Sequence, residues 1–355
     1  MLPKILVTGV TGYIGGDAFH ALHEAHPDFD YTLLVRSKDR EEQVRKKYLN
    51  ADNIRIIHPG NGSLALSLTD ILQEEAGKAD IVLHTAGFAD DVPQATAILK
   101  GLQTSGRPAD NPAFWIHISG TGILQWYDQT HNRHGQPPLP SEKYDDLADI
   151  NRILTLPDQA NHRDVDKIVL SANNSNNNGA IKTAIVAPPT IYGFGRGPLN
   201  TISQQIPSLT RFILAHGYAP IVGTGKTEWD HIHIHDVSSL VVSLIDAVLD
   251  PTFRENPEVF GERAYYFCES GTHVWGEVAA KIGAEAVKQG LLKEVMSKEV
   301  QEGDVAGETW GANSKCVASR ARKYLGWEPQ GPKFEEEFPG IVEFEGKRMG
   351  CKKIP

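Results

Sequence analysis

The sequence predicts an α/β protein: a doubly wound parallel sheet of the Rossmann type, followed by a smaller C-terminal part that covers it. Three observations carry this prediction. A short apolar run, Ile5 to Val7, leads into glycines at 9, 12 and 15 and then into a helical pattern with Ala18, Phe19, Ala21 and Leu22. Strand-like and helix-like stretches then alternate at βα spacing. From Gly193 to about Gly225 the pattern loosens and glycine and proline recur. Residues 1–190 are therefore expected to form the dinucleotide-binding domain and residues 191–355 mainly the substrate-binding part, with segments near 226–250 returning to the first.

Strand, glycine loop and helix in that order form a phosphate cradle. One glycine permits the tight turn, one lets backbone N–H groups approach a pyrophosphate, and one lets the helix pack on the strand. The spacing here is G-x-x-G-x-x-G, so Gly9, Gly12 and Gly15, with Thr11, Tyr13 and Ile14 between them, are the expected cofactor-binding residues. The next buried-type strand, Tyr31 to Val35, ends at Arg36, with Lys38 and Arg40 following. An acidic residue at this position accepts from a ribose 2′-hydroxyl, whereas a guanidinium binds a 2′-phosphate. Arg36 therefore points to NADP in preference to NAD.

The pattern continues with a strand over 53–57, a turn at Gly60-Asn61 closing near the adenine, helical spacing over 64–75, and a strand over 79–83. That strand runs into His84-Thr-Ala-Gly87, where Ala86 and Gly87 pass beneath the cofactor. A helix is expected over 93–102 and a strand over 113–118, ending in Ser119-Gly-Thr121. Chemistry in such sheets gathers beyond the carboxyl ends of the strands, so this hydroxyl cluster is a candidate for it. Residues 128–140 are polar and proline-rich and read as an exposed loop or lid. An amphipathic helix over 162–170 places Arg163 and Lys167 on one face. Residues 173–179 form a low-complexity turn, and a strand over 180–187 stops at Pro188-Pro189.

In DHIHIHD (230–236) the three histidines share one face of a strand, and Asp236 is the expected N-cap of a helix over 237–249. Further expected elements are a strand over 264–267, helices over 274–289 and 317–325, and a surface terminus from Glu335 onward.

The 355 residues carry a formal net charge of −10, which argues against nucleic acid or an anionic membrane as a bulk partner. Three scattered cysteines, Cys268, Cys316 and Cys351, suggest a reducing compartment, with neither a disulfide framework nor a zinc site. With no charged-then-apolar leader and no apolar run near the ~20 residues that span a bilayer, the expected location is the cytosol.

Taken together, TGVTGYIG at 8–15, HTAG at 84–87, SGT at 119–121, PPTIYG at 188–193, HIHDV at 233–237 and KYLGWEP at 323–329 resemble the extended short-chain dehydrogenase/reductase family, which includes sugar-nucleotide epimerases and dehydratases. The resemblance implies a nicotinamide cofactor on the N-terminal sheet, with Pro188 beside it, a substrate cleft formed by the C-terminal part, and often a homodimer. It also implies catalysis by a Ser or Thr together with a Tyr-x-x-x-Lys pair. Lys167 stands at the lysine position, where it would hold the nicotinamide ribose. Arg163 stands where the tyrosine should be.

Ser119 or Thr121 is left to polarise a substrate oxygen, and His162 or Tyr144 to exchange the proton. The reading is an NADP-dependent oxidoreductase acting on a carbonyl or similarly activated small molecule. The alternatives are an NADP-binding sensor without turnover and a cofactor-assisted isomerase or epimerase. The latter ranks lower because the family's basic residue ahead of the strand at His231 is not evident in residues 225–230, unless Lys226 serves that role.

Overall fold

The computed structural model describes residues 2–49, 51–60, 66–173, 177, 179–301, 305 and 309–354. The chain begins β1 (Lys4–Thr8), α1 (Tyr13–Ala25), β2 (Asp30–Leu34), α2 (Lys38–Lys47), β3 (Ile54–Ile57), α3 (Leu68–Lys78), β4 (Ile81–His84), α4 (Val92–Thr104) and β5 (Ala113–Ile118). It continues through α5 (Trp126–Thr130), β6 (Lys143–Asp145), α6 (Ile150–Leu154), α7 (Arg163–Ser171), β7 (Ile181–Ala187), β8 (Thr190–Tyr192), α8 (Gln205–His216), β9 (Tyr218–Val222) and β10 (Glu228–His233). The last elements are α9 (Ile234–Leu249), α10 (Pro251–Arg254), β11 (Tyr265–Phe267), β12 (Gly271–Val274), α11 (Trp275–Lys288), β13 (Met296–Val300), β14 (Lys315–Val317), α12 (Ser319–Leu325) and α13 (Phe338–Arg348).

Seven strands pair in parallel in the order β11-β7-β5-β4-β1-β2-β3. Chain order reverses between β1 and β4, so the crevice beyond their carboxyl ends is the switch point where such sheets bind ligands. Helices cover both faces, which is why the central strands are apolar on both sides: Leu6, Val7, Val82, Leu83, Trp115 and Ile116 are all buried. A second core gathers Trp229, Trp275, Trp310, Phe334 and Phe338 among α8, α11 and α13.

Residues from late in the chain complete the first layer. Helix α9 packs on α1, and β11 pairs with β7 at the sheet edge. A buried ion pair ties the halves together: the Asp17 carboxylate accepts from the Arg196 guanidinium and backbone N–H and from Ser238 Oγ. Gly16 permits this contact, since a Cβ there would meet Gly197 Cα at 2.8 Å.

Several expectations need correction. The helix over 64–75 spans Leu68–Lys78, started by a capping box between Ser67 and Asp70; residues 61–65, and with them Asn61 of the turn, lie outside the described residues. The 128–140 stretch is a seam and not a lid. Asp128 is buried and accepts from the Asn313 backbone and side chain, while Gly135 N–H donates to Gly311 O and Gly135 O accepts from Thr224. His233, not Asp236, caps α9, its Nδ1 accepting from the His235 N–H. The Asp236 carboxylate instead accepts from the N–H groups of Gln330 and Gly331. The three histidines do not share a face, because the strand ends at His233 and His235 lies in the helix. His231 pairs with His273 and stacks on Phe334. The terminus packs as α13, with Ile341 and Val342 buried and the sealed Glu345 carboxylate accepting from Arg211.

Candidate functional site

The first part of the site is built by backbone. Gly9 turns with φ +76°, and a Cβ there would meet the Thr85 carbonyl carbon at 2.9 Å. Gly15 lies so close to the strand that a Cβ would overlap Thr85 Oγ1 and come within 2.5 Å of Gly9 O. Thr85 is fixed beneath them by its hydroxyl, which donates to Thr8 O at 2.6 Å. Gly12 is the N-cap of α1 and provides no capping side chain, so the first N–H groups of the helix have no acceptor within it. Bare N–H groups at the positive end of a helix dipole, reached over glycine, fit a pyrophosphate.

Of the other expected cofactor residues, Thr11 is buried and its Oγ1 accepts from Arg40 Nη1 at 2.8 Å. That bond draws a second guanidinium across the loop. Arg36, beyond β2, is exposed and makes no ion pair among the described residues. Tyr13 is committed to structure: its OH donates to Gly193 O at 2.7 Å, and burial pushes its pKa upward. Ile14 packs on the core. Ala86 and Gly87 follow β4, Gly87 with φ +77°. Pro188 O accepts from the Thr121 N–H at 3.0 Å, joining the ends of β5 and β7.

The second part is a corner where β4, β5 and the start of α7 meet, and it is built by side chains. His162, the residue before α7, has φ +65° and is 18% exposed. Its Nδ1 lies 2.6 Å from Asp90 Oδ1, just beyond β4. Its Nε2 faces the end of β5, where a Cβ on Gly120 or Gly122 would meet it at 3.2 or 3.0 Å. Beneath the corner, His84 and His117 sit opposite each other in the β4–β5 register with their Nδ1 atoms 3.0 Å apart. Burial lowers the pKa of His84 to about 4; that of His117 is lowered well below its ordinary value by burial first, then by the other two imidazoles. Both rings are therefore neutral near pH 7.

The remaining catalytic candidates are engaged elsewhere. Ser119 Oγ is sealed and turns to the inner side, against Asp166 and Tyr265. There Tyr265 OH donates to Asp166 Oδ2 at 2.8 Å, and burial raises the Asp166 carboxyl to about 6. Thr121 is fully buried, its hydroxyl 2.9 Å from Ser314 Oγ, which donates to Thr121 O. Tyr144 lies on β6, its OH donating to Glu142 and its ring under Arg152. No contact among the described residues joins Tyr144 to the corner. Arg163 and Lys167 do not share an environment: Arg163 is buried and donates to Leu154 O, whereas Lys167 is half exposed and donates to Asp158 at 2.9 Å. Lys226 is exposed in the turn between β9 and β10.

Sequence reasoning missed Asp90. The one available signal was the acidic doublet Asp90-Asp91 after a strand end: Asp91 caps α4 through the Gln94 N–H, which leaves Asp90 for another role.

No family model matches the chain. Oxidase ucsJ from an Acremonium species is 34% identical over 361 residues, spanning 99% of this chain and 99% of its own length. Among solved structures, PbgP3 from Burkholderia pseudomallei has a TM-score of 0.63 at 15% identity, over 99% of each chain. UDP-glucose 4-epimerase from Thermotoga maritima has a TM-score of 0.61 at 15% identity, over 98% of this chain and 99% of its own. DesIV, a dTDP-glucose 4,6-dehydratase from Streptomyces venezuelae solved with NAD bound, has a TM-score of 0.61 at 15% identity, over 98% of each. At such identities the structural likeness is one of fold.

Proposed function

The chain belongs to the extended short-chain dehydrogenase/reductase family, and from that premise we propose that it is an NADP-dependent oxidoreductase reducing a carbonyl or similarly activated small molecule, with His162 in place of the absent tyrosine. The observation that carries the reading is the His162 ring standing over Gly120 and Gly122 beyond the carboxyl end of β5, at the same end of the parallel sheet as the glycine cradle. When bound, a reduced nicotinamide dinucleotide supplies the hydride. The chain's own residues do the rest. Gly9, Gly12 and Gly15 open the backbone to the pyrophosphate, and Arg36, with Arg40 beside it, faces a 2′-phosphate. His162 Nε2 gives its proton to the substrate oxygen and is reprotonated from solvent. An imidazole can both give and take a proton, which the Arg163 guanidinium cannot do.

The test is to titrate the purified protein with NADPH and NADH and then to screen aldehydes, ketones and quinones for cofactor oxidation. Tighter binding of NADPH is expected, with turnover that falls roughly 10²-fold or more in His162→Ala while NADPH affinity holds. Turnover that survives His162→Ala removes the assignment, and failure to bind either nucleotide removes the whole reading. One observation favours a second reading, a nucleotide-binding sensor without turnover: Lys167 is engaged by Asp158 instead of standing free for a ribose. NADPH binding with no turnover on any carbonyl supports that reading.

A further inference from the structure

Only Ala89, Asn132 and His162 combine a side chain with a left-handed backbone among the described residues, at φ +67°, +52° and +65°. Two of the three frame one hydrogen bond. Ala89 immediately precedes Asp90, and His162 is Asp90's partner, 72 positions away in sequence. Each such conformation costs on the order of 1–3 kcal/mol and persists only where the surroundings impose it. His162 is unusual in a further respect. It is the N-cap of α7, a position normally extended, and its carbonyl accepts from the Asp166 N–H at 3.0 Å. The His162 end of the pair is therefore held by the fold, while the Asp90 carboxylate is half exposed and has a left-handed residue just before it.

We propose that Asp90 is the positioning residue of the reaction: its carboxylate accepts from Nδ1–H of His162 and fixes the tautomer that leaves Nε2 bare over Gly120 and Gly122. This rests on the reading of His162 as the proton-exchanging group. The ring needs both constraints. Without an acceptor at Nδ1, a neutral imidazole can place its one proton on either nitrogen. Without glycine at 120 and 122, a Cβ would press on Nε2. The groups facing the ring are Asp90 beyond β4, His117 on β5 and Asp166 on α7; Asp90 alone among them bonds to it. In a carbonyl reduction a bound dinucleotide would supply the hydride to the carbonyl carbon, and the C=O π pair would move to oxygen. The oxygen takes the Nε2 proton from the imidazolium, and the ring returns to the neutral Nδ1–H form on Asp90.

The test begins with a readout that needs no substrate: ¹⁵N NMR of the full-length protein labelled at histidine, with the His162 signals assigned by loss in His162→Gln. The neutral ring in the unsubstituted protein is expected to be protonated at Nδ1 and bare at Nε2, and Asp90→Asn is expected to shift it toward Nε2–H. An Nε2-protonated ring at the outset, or a spectrum unchanged by Asp90→Asn, overturns the proposal. With a turned-over carbonyl in hand, Asp90→Asn should lower kcat roughly 10²-fold with little change in KM for NADPH, and Asp90→Glu should recover part of the loss. An unchanged kcat in Asp90→Asn beside a collapsed kcat in His162→Ala also overturns it. Absence of turnover on every carbonyl counts against the oxidoreductase reading alone, since the tautomer is read independently.

Discussion

The glycine cradle at the start of α1 and the corner where β4, β5 and α7 meet lie at the same end of one sheet, yet they are made by different means. The cradle works by omission: its three glycines leave N–H groups bare and let the helix close on the strand, and any side chain obstructs it. The corner works by placement. A left-handed histidine and an aspartate just after a left-handed alanine meet there from distant segments, while the groups expected to act are sealed or engaged elsewhere, Ser119 buried against Asp166 and Tyr265, Thr121 on Ser314 and Lys167 on Asp158. A site made by backbone can keep its form while the neighbouring chemistry is rebuilt from other side chains.

The sharpest way to break this contrast is Gly15→Ala. A methyl group there overlaps Thr85 Oγ1 and crowds Gly9 O, so the helix must move off the strand. The expected outcome is a stability loss of about 1–3 kcal/mol in thermal unfolding together with abolished NADPH binding in a fluorescence titration. Binding that survives would mean the cradle tolerates a side chain, and the contrast would fail.

The next effect is one the corner shares with His231, His233 and His273, whose pKa values burial also lowers. His84 is held neutral with its pKa lowered to about 4, against an ordinary 6.5. A group whose folded value is depressed gives its full contribution above pH 6.5 and loses it as pH falls toward 4, a swing of about 3 kcal/mol at most. Asp166 runs the other way: raised to about 6, it contributes fully below its ordinary 3.8 and loses that contribution as pH rises through 6. Unfolding measured from pH 7 to 4 should therefore show an acid-side loss that becomes shallower in the double variant His84→Leu/His117→Leu, which removes both rings and leaves no orphaned partner, while His231, His233 and His273 keep the remainder. An unchanged slope would place the acid sensitivity elsewhere.

Smallest is Arg36→Glu, which touches neither the cradle's backbone nor the corner. NADPH affinity should fall roughly tenfold, about 1.4 kcal/mol, with NADH affinity unchanged or improved. Equal losses for both nucleotides would show that Arg36 does not read the 2′-phosphate.

What the sequence made legible follows the same division. The roles of Gly9, Gly12 and Gly15 are local, each decided within a few residues of itself, and the central-sheet strands as far as β7 follow from hydrophobic period alone, whereas the short β6, which pairs only with the distant β14, does not. The corner is tertiary. Nothing near His162 announces Asp90, and the spacing that puts Lys167 at the family's lysine position is silent about Asp158 taking it up. Asp236 looked like a cap because helix onsets favour aspartate, but His233 performs that role because β10 runs into α9 without a loop. The last stretch looked like a surface tail because its charges stand out, and its buried Ile341 and Val342 need α8 and α11 to give them a place.

The position of β11 has a consequence for how the protein is made. The strand that closes the sheet beside β7 is delivered late, and about 80 residues separate Ala187 from Phe267. At ribosomal rates of roughly 5–20 residues per second, the β7 edge waits on the order of 10 s with its backbone N–H and C=O groups unpaired. A nascent chain stalled in that interval presents an open apolar edge, so the hazard in biosynthesis lies between synthesis of β7 and arrival of β11. A circular permutant that supplies the 265–267 strand early should shorten that exposure without altering the finished fold.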